Sequence, residues 1–308
     1  MAKKTISVEA CAVVTGAGSG IGRAFALELA KRGGRVVCAD INLAAAQQTV
    51  EQILELARKQ VSSSTSPLEH RALAVRCDVG VYEEVVALAD AAQTFFASGT
   101  YASGVSLVVN NAGIGAGGRP VGQIGLSDWK RTLNVNLWGV VHGCEVFMPL
   151  LRQRAAQLKV LGFKGPRCGL INVASTASFS AAPLMGPYNV TKSGVLALSE
   201  TLAAEASGSG IHVTALCPTF VKTNITKGEC IAPASSAFAD KLMKWTGVSA
   251  HSVAMETLDG LDKGRLYILP QLDARTIWRL KRFVPAAYTV GAGLLNRVAT
   301  RFLKNKEA

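Results

Sequence analysis

The chain has 308 residues, 49% of them hydrophobic and 18% charged, and a formal net charge of +12. A chain of this length buries a large apolar core by itself, so neither a disulfide framework nor a structural metal is needed. Its seven cysteines contain no C-x-x-C pair. That spacing argues against a zinc site, and Cys38, Cys77 and Cys217 in apolar runs read as free thiols of a reducing compartment, expected to be the cytoplasm. The first ten residues lack a secretory apolar core and no run of about 18 apolar residues occurs, so neither a signal peptide nor a spanning helix is expected.

Short runs rich in Val, Leu and Ile recur at residues 12–15, 35–39, 73–77, 107–110, 170–173, 213–217 and 266–269. They do not alternate with polar residues, which suits parallel strands buried on both faces. Helical patterns at 22–31, 44–59, 83–97 and 193–206 stand between them. Repeated β-α units predict an α/β fold, a doubly wound parallel Rossmann-type sheet of seven strands. Residues 62–67 read as a polar surface loop, and 152–167 as a helix end running into a basic loop.

The first strand leads into Thr15-Gly16-Ala17-Gly18-Ser19-Gly20-Ile21-Gly22 and then a helix. Glycines between strand and helix let backbone N–H groups approach a pyrophosphate, and the helix N-terminus adds the positive end of its dipole. The spacing is G-x-x-x-G-x-G rather than the commoner G-x-G-x-x-G. Asp40 ends the second strand, 24 residues after Gly16. An acid there accepts hydrogen bonds from the ribose hydroxyls of NAD and repels the 2′-phosphate of NADP, so NAD is the expected cofactor and NADP the less favoured one. Arg23 and Arg35 are the cations that could serve a 2′-phosphate instead.

Ser175, Tyr188 and Lys192 follow the fifth strand in an S-x12-Y-x3-K arrangement. Tyr188 and Lys192 lie one helical turn apart on one face. A free tyrosine titrates near a pKa of about 10, and a neighbouring ammonium lowers it toward the range useful for acid/base work. A serine hydroxyl can hold a substrate oxygen beside that phenol. The carboxyl ends of strands, where Ser175 falls, are where open α/β sheets bind ligands.

With these motifs the chain resembles the short-chain dehydrogenase/reductase family, in the subgroup with TGxxxGxG and YxxxK motifs, over residues 4–223. Asn110-Asn111-Ala112-Gly113 matches its NNAG segment, Cys77-Asp78-Val79 its acidic adenine-contacting turn, and Asn136 the asparagine of its proton relay. Pro218 and Thr223 match the segment that grips the nicotinamide, although Thr219 stands where the family has glycine. The resemblance implies catalytic residues Asn136, Ser175, Tyr188 and Lys192. It also implies cofactor contacts from Gly16, Ser19, Gly20, Ile21, Gly22, Asp40, Asp78, Val79, Asn110, Ala112, Gly113, Tyr188, Lys192, Pro218, Val221 and Thr223, with no metal, in a homodimer or homotetramer.

The expected organisation is a catalytic domain over residues 1–270, with a substrate lid at 224–250, and a basic extension over 271–308. Ile225, Ile231, Phe238, Leu242, Met243 and Trp245 in the lid, and Phe179, Ala181, Leu184 and Met185 before Tyr188, suit a small hydrophobic or aromatic alcohol or ketone; core packing is the other reading of the same residues. From residue 274 onward there are eight Lys or Arg and one acid, Glu307. Apolar residues Ile277, Leu280, Phe283 and Val284, then Leu294, Leu295, Val298 and Phe302, recur at helical spacing and predict two short amphipathic basic helices. Such helices either pack on the enzyme or a partner subunit, or lie on the inner face of an anionic membrane. No nucleic-acid signature accompanies them. The alternative to an enzyme is a non-catalytic NAD-binding protein held to a membrane or partner by this tail, and the intact Asn136, Ser175, Tyr188 and Lys192 set favours catalysis.

Overall fold

The computed structural model describes residues 5–59, 70–97, 104–223 and 247–307, with positions 225, 230–232, 235, 240, 241 and 243 between the last two stretches. The expected loop at 62–67 lies outside the described residues. Strands β1 (Cys11–Thr15), β2 (Arg35–Asp40), β3 (Ala72–Arg76), β4 (Leu107–Asn110), β5 (Cys168–Val173), β6 (Ile211–Leu216) and β7 (Tyr267–Ile268) form one sheet. Its order is β3-β2-β1-β4-β5-β6-β7 and every pairing is parallel. This is the doubly wound Rossmann-type sheet expected. The order reverses between β1 and β4, which opens a crevice at the carboxyl ends of those strands.

The helices are α1 (Gly20–Lys31), α2 (Leu43–Lys59), α3 (Tyr82–Ala97), α4 (Leu126–Leu133), α5 (Gly139–Val160), α6 (Ala177–Ser180), α7 (Gly186–Glu205), α8 (Ala250–Asp262), α9 (Leu272–Phe283) and α10 (Pro285–Glu307). Because strand side chains alternate between faces, the apolar runs feed two cores. Val13, Val37, Val108 and Leu170 pack with Phe96 of α3, Phe147 and Leu151 of α5, and Val195 of α7. Val14, Cys38, Val109 and Ile171 pack on the other face with Phe25 and Leu29 of α1, Ile53 of α2, and Leu258 of α8. Each large side chain buried in this way contributes roughly 1.5–3 kcal/mol.

Three elements differ from the sequence reading. Helix α7 starts at Gly186 rather than at 193, with Pro187 in its first turn; proline suits that position because its missing N–H has no helical partner there. Helices α4 and α5 are joined by a π turn, Asn134–Trp138, which carries Asn136. Helix α10 runs unbroken through Gly291 and Gly293, so the tail holds one 12-residue and one 23-residue helix rather than two short ones. Among the described residues no helix is long and apolar enough to cross a membrane.

Candidate active site

The glycine turn is braced from several sides. Gly16 and Gly20 have φ of 64° and 52°, which only glycine adopts without cost. A Cβ on Gly22 would stand 2.1 Å from the Gly16 carbonyl oxygen, so the helix can approach the strand only because no side chain intervenes. Thr15 Oγ1 accepts the N–H groups of Asn111 and Ala112 at 2.9 and 3.1 Å. Asn111 Nδ2 donates to the Thr15 carbonyl at 2.9 Å. These bonds tie the end of β4 to the turn. Thr49 Oγ1 donates to the Ala17 carbonyl at 2.9 Å.

The N-cap of α1 is exposed Ser19, which makes no side-chain capping bond, and no acid stands in the first turn. The N–H groups at that helix end and the positive pole of its dipole are left for an anion, so the turn fits a dinucleotide pyrophosphate. Asp40 Oδ2 accepts the Gly18 N–H at 2.8 Å and Oδ1 the Asn42 N–H at 2.9 Å. The cap of the next helix is Asn42, whose Oδ1 accepts the Ala45 N–H at 3.1 Å; Asp40 is not that cap. Arg23 is engaged with the Gly18 carbonyl and with Thr49. Arg35 donates to the carbonyls of His70, Phe95 and Phe96.

Asp78 and Val79 follow β3. Asp78 Oδ1 accepts the Gly80 N–H at 2.9 Å and Glu84 Oε2 accepts the Asp78 N–H at 2.7 Å, fixing the turn. The Asn110 side chain points into the core, donating to Asn172 Oδ1 at 2.9 Å. What remains of Asn110 for a ligand is its backbone at the strand end.

Ser175, Tyr188 and Lys192 come together at the carboxyl end of β5. The Ser175 side chain lies close enough to the Tyr188 phenol to act on its ionisation. Lys192 Nζ lies 5.8 Å from the Tyr188 ring centroid and donates to the Val173 carbonyl at 2.8 Å. Ala181 and Leu184 take left-handed φ of 48° and 65° between α6 and α7, folding the chain back so that α7 faces Ser175. Ser178 links the two helices: its hydroxyl accepts the Ser175 N–H and donates to the Lys192 carbonyl.

Electrostatics here are set by burial. Burial lowers Lys192 to about 8, the nearby Cys217 opposing weakly. Burial pushes the half-buried Tyr188 phenol above its ordinary value, and the Ser175 hydroxyl pulls it back. Asn136 is fully buried; its amide accepts the Ile114 N–H at 2.7 Å and donates to the Ile114 carbonyl at 2.8 Å. A Cβ on Gly113 would stand 3.2 Å from Asn136 Oδ1 and 3.5 Å from Lys192 Nζ, so those two side chains flank Gly113. The thiols of Cys38, Cys77, Cys144, Cys168 and Cys217 are pushed up to about 12, chiefly by burial. At neutral pH none of the five is a thiolate nucleophile.

The Pro218–Thr223 segment closes the crevice. The Pro218 carbonyl accepts the Thr176 N–H at 2.9 Å and the Ser175 hydroxyl at 3.4 Å. Val221 is buried and bridges to Val248. Thr223 lies against Gly20, 3.0 Å from where a Cβ would be, bringing this segment over the glycine turn. The extension holds it in place: Gln271 Oε1 accepts the Thr219 N–H at 3.1 Å and Gln271 Nε2 donates to the Phe220 carbonyl at 3.0 Å. Ser178 and Gln271 thus join the site although sequence reasoning gave them no role in it, and Thr15 and Asn111, quoted there only within their motifs, brace the turn. A polar residue three positions after the seventh strand was the only available sign of Gln271.

On the substrate side, Phe179 is buried in edge contact with Trp278 of α9, ring centroids 4.9 Å apart. Met243 is also buried. Both are core. Leu184 and Ile225 are exposed, while Ala181 is exposed and Met185 and Ile231 are half-buried. Phe238, Leu242 and Trp245 lie outside the described residues.

A glycine turn at the strand-order reversal and a Ser–Tyr–Lys cluster beside it define a class, and the short chain dehydrogenase family model matches residues 10–231. The chain belongs to the short-chain dehydrogenase/reductase family of oxidoreductases. It is 32% identical over 265 residues to a 1-deoxy-11-beta-hydroxypentalenate dehydrogenase of Streptomyces exfoliatus, covering 86% of this chain and 84% of that one. It is 35% identical over 223 residues to the short-chain dehydrogenase anuF of Penicillium roqueforti, covering 71% and 76%. A short chain dehydrogenase/reductase from Burkholderia phymatum, solved in complex with NAD, superposes with a TM-score of 0.74 at 31% identity over 91% of this chain and 95% of that one.

Proposed function

We propose that the chain is an NAD-dependent dehydrogenase/reductase that interconverts a hydrophobic or aromatic secondary alcohol and its ketone, with Tyr188 as general acid/base. The observation that carries this reading is the meeting of Ser175, Tyr188 and Lys192 at the end of β5, with Lys192 Nζ 5.8 Å from the phenol ring and the Ser175 side chain acting on the phenol. Asp40 beside Gly18 supports NAD over NADP, as does the engagement of Arg23 and Arg35 with backbone carbonyls. The pyrophosphate would sit at Gly16, Ser19, Gly20, Ile21 and Gly22, the adenosine half at Asp40, Asp78 and Val79. The nicotinamide half would meet Asn110, Ala112, Gly113, Pro218, Val221 and Thr223.

Bound there, NAD supplies the hydride acceptor for oxidation, and NADH the donor for reduction. Ser175 donates its hydroxyl hydrogen to the substrate oxygen and holds it beside Tyr188. In oxidation the Tyr188 phenolate takes the alcohol proton; in reduction the phenol returns it. The Lys192 ammonium favours the phenolate, working against the burial that raises Tyr188. Asn136 holds the Gly113–Ile114 backbone against Lys192 and would carry the proton onward through a water. The exposed Leu184 and Ile225 suit an apolar substrate over a sugar. A homodimer or homotetramer in the cytoplasm belongs to the same reading.

Tyr188→Phe keeps the ring and removes the proton-transfer group. Turnover should fall by about 10²- to 10⁴-fold, while NAD binding measured by calorimetry stays intact. Undiminished turnover would overturn the acid/base assignment.

A further inference from the structure

Helix α9 has two faces with different environments. Its inner face sets Ala274 and Trp278 against the body of the enzyme. Its outer face leaves Leu272 78% and Phe283 82% exposed, and α10 continues this with Leu295 at 73% and Val290 and Leu294 also exposed. Between Asp273 and Glu307 the chain carries only basic charges, among them Arg275, Arg279, Lys281, Arg282 and Arg297 on the described helices.

A cleft of about 410 Å³ gathers three of those arginines with two aromatics: Arg275, Arg279 and Arg282 beside Trp278 and Phe283. Arg275 pairs with Glu256 at 3.0 Å, and Arg282 lies 4.0 Å over the Trp278 ring and 3.9 Å from Glu200. Arg279 and Arg297 have no ion-pair partner among the described residues. A guanidinium fork matches a phosphate bidentately, and the apolar side chains beside it match the acyl boundary beneath a headgroup.

We propose that the outer face of α9 and the neighbouring face of α10 dock on an anionic phospholipid surface. The arginines take the headgroup phosphates, and Phe283, Leu272 and Leu295 enter the boundary below them. A second copy of the chain is the competing occupant. A two-fold contact through this face would set each basic tail against its own image, whereas an anionic lipid surface neutralises both.

The test is co-sedimentation of the full-length protein with vesicles of phosphatidylcholine alone and of phosphatidylcholine mixed with phosphatidylserine. Binding should require phosphatidylserine and weaken in high salt. Phe283→Ser, at a site that packs on nothing in the core, should weaken binding about tenfold. Arg279→Ala should weaken it about fivefold. NAD binding should be unchanged in both. Failure to pellet with either vesicle overturns the proposal. So does a Phe283→Ser protein that sediments as a smaller oligomer without lipid, since that would give the face to a second copy.

Discussion

Gln271 and Thr219, 52 residues apart, are joined by a hydrogen bond from the Thr219 N–H to Gln271 Oε1, and the same amide reaches back to the Phe220 carbonyl. One buried side chain from the start of the extension therefore satisfies two backbone groups of the segment between Pro218 and Thr223. The family's glycine is absent at 219, and this tether defines the loop from outside.

Gln271→Ala should leave both backbone groups unsatisfied, at about 1–3 kcal/mol. If the tether positions the nicotinamide segment, KM for NAD rises roughly tenfold while kcat moves less, and Gln271→Glu, which keeps the acceptor, recovers part of the loss. Initial rates across NAD concentrations check this. A fall in melting temperature with KM unmoved would reduce Gln271 to a structural role.

Asp40→Ala removes a charged acceptor from the Gly18 amide and a negative charge from the ribose side of the turn. The ratio of kcat/KM for NAD over NADP should fall by about tenfold to a hundredfold. An unchanged ratio would remove Asp40 from cofactor choice.

Gly22→Ala drives a methyl into the Gly16 carbonyl, 2.1 Å away, and the Asn111 amide, 2.5 Å away. The Gly16 carbonyl is backbone and cannot yield without moving β1 from α1, so a loss of about 3 kcal/mol or more is expected in denaturant melts. Gly291→Ala is the control. It sits in a helix with nothing within 4 Å of the added methyl and should gain up to about 1 kcal/mol.

Lys192 is folded at a cost, because burial lowers it from 10.5 to about 8. Below about 8 the folded protein carries a buried ammonium that the unfolded chain solvates freely. As pH rises from about 8 to 10.5 the folded state sheds that proton first, so the penalty is relieved and this contribution to stability rises with pH. At pH 7 the penalty is about 3 kcal/mol, against about 1 kcal/mol for the Val173 hydrogen bond. Lys192→Met should therefore be inactive yet more stable than the parent near pH 7, by about 1–2 kcal/mol, with the gap closing by pH 10. A parent protein more stable than the variant at neutral pH would reverse the sign of this account.

Much of the fold was legible because buried parallel strands write themselves as unbroken apolar runs. The fourth strand, Leu107–Asn110, falls where the sequence reading set it, and the first begins one residue early, at Cys11. The helical pattern at 193–206 took no account of Pro187, although proline is a helix-start signal, so the sequence reading begins α7 seven residues late. The second tail helix was expected only from Leu294, whereas it runs from Pro285 through Gly291 and Gly293, which at about 1 kcal/mol each weaken a helix without ending it. At the site, Ser175, Tyr188 and Lys192 were legible from spacing. Ser178 and Gln271 were not, because each acts on backbone atoms supplied by another segment.

The strand order carries a consequence for synthesis of the chain. β1, β2 and β3 are neighbours and complete by Arg76. β4 then adds to the far side of β1, and β5, β6 and β7 each add to the newest rim. No later strand has to wedge between two already joined, so the growing polypeptide extends its sheet in the order the ribosome releases it. The longest exposed interval falls between β4, complete at Asn110, and β5, which begins at Cys168, when the outer side of β4 stands open, an apolar ladder without a mate and open to any other nascent chain.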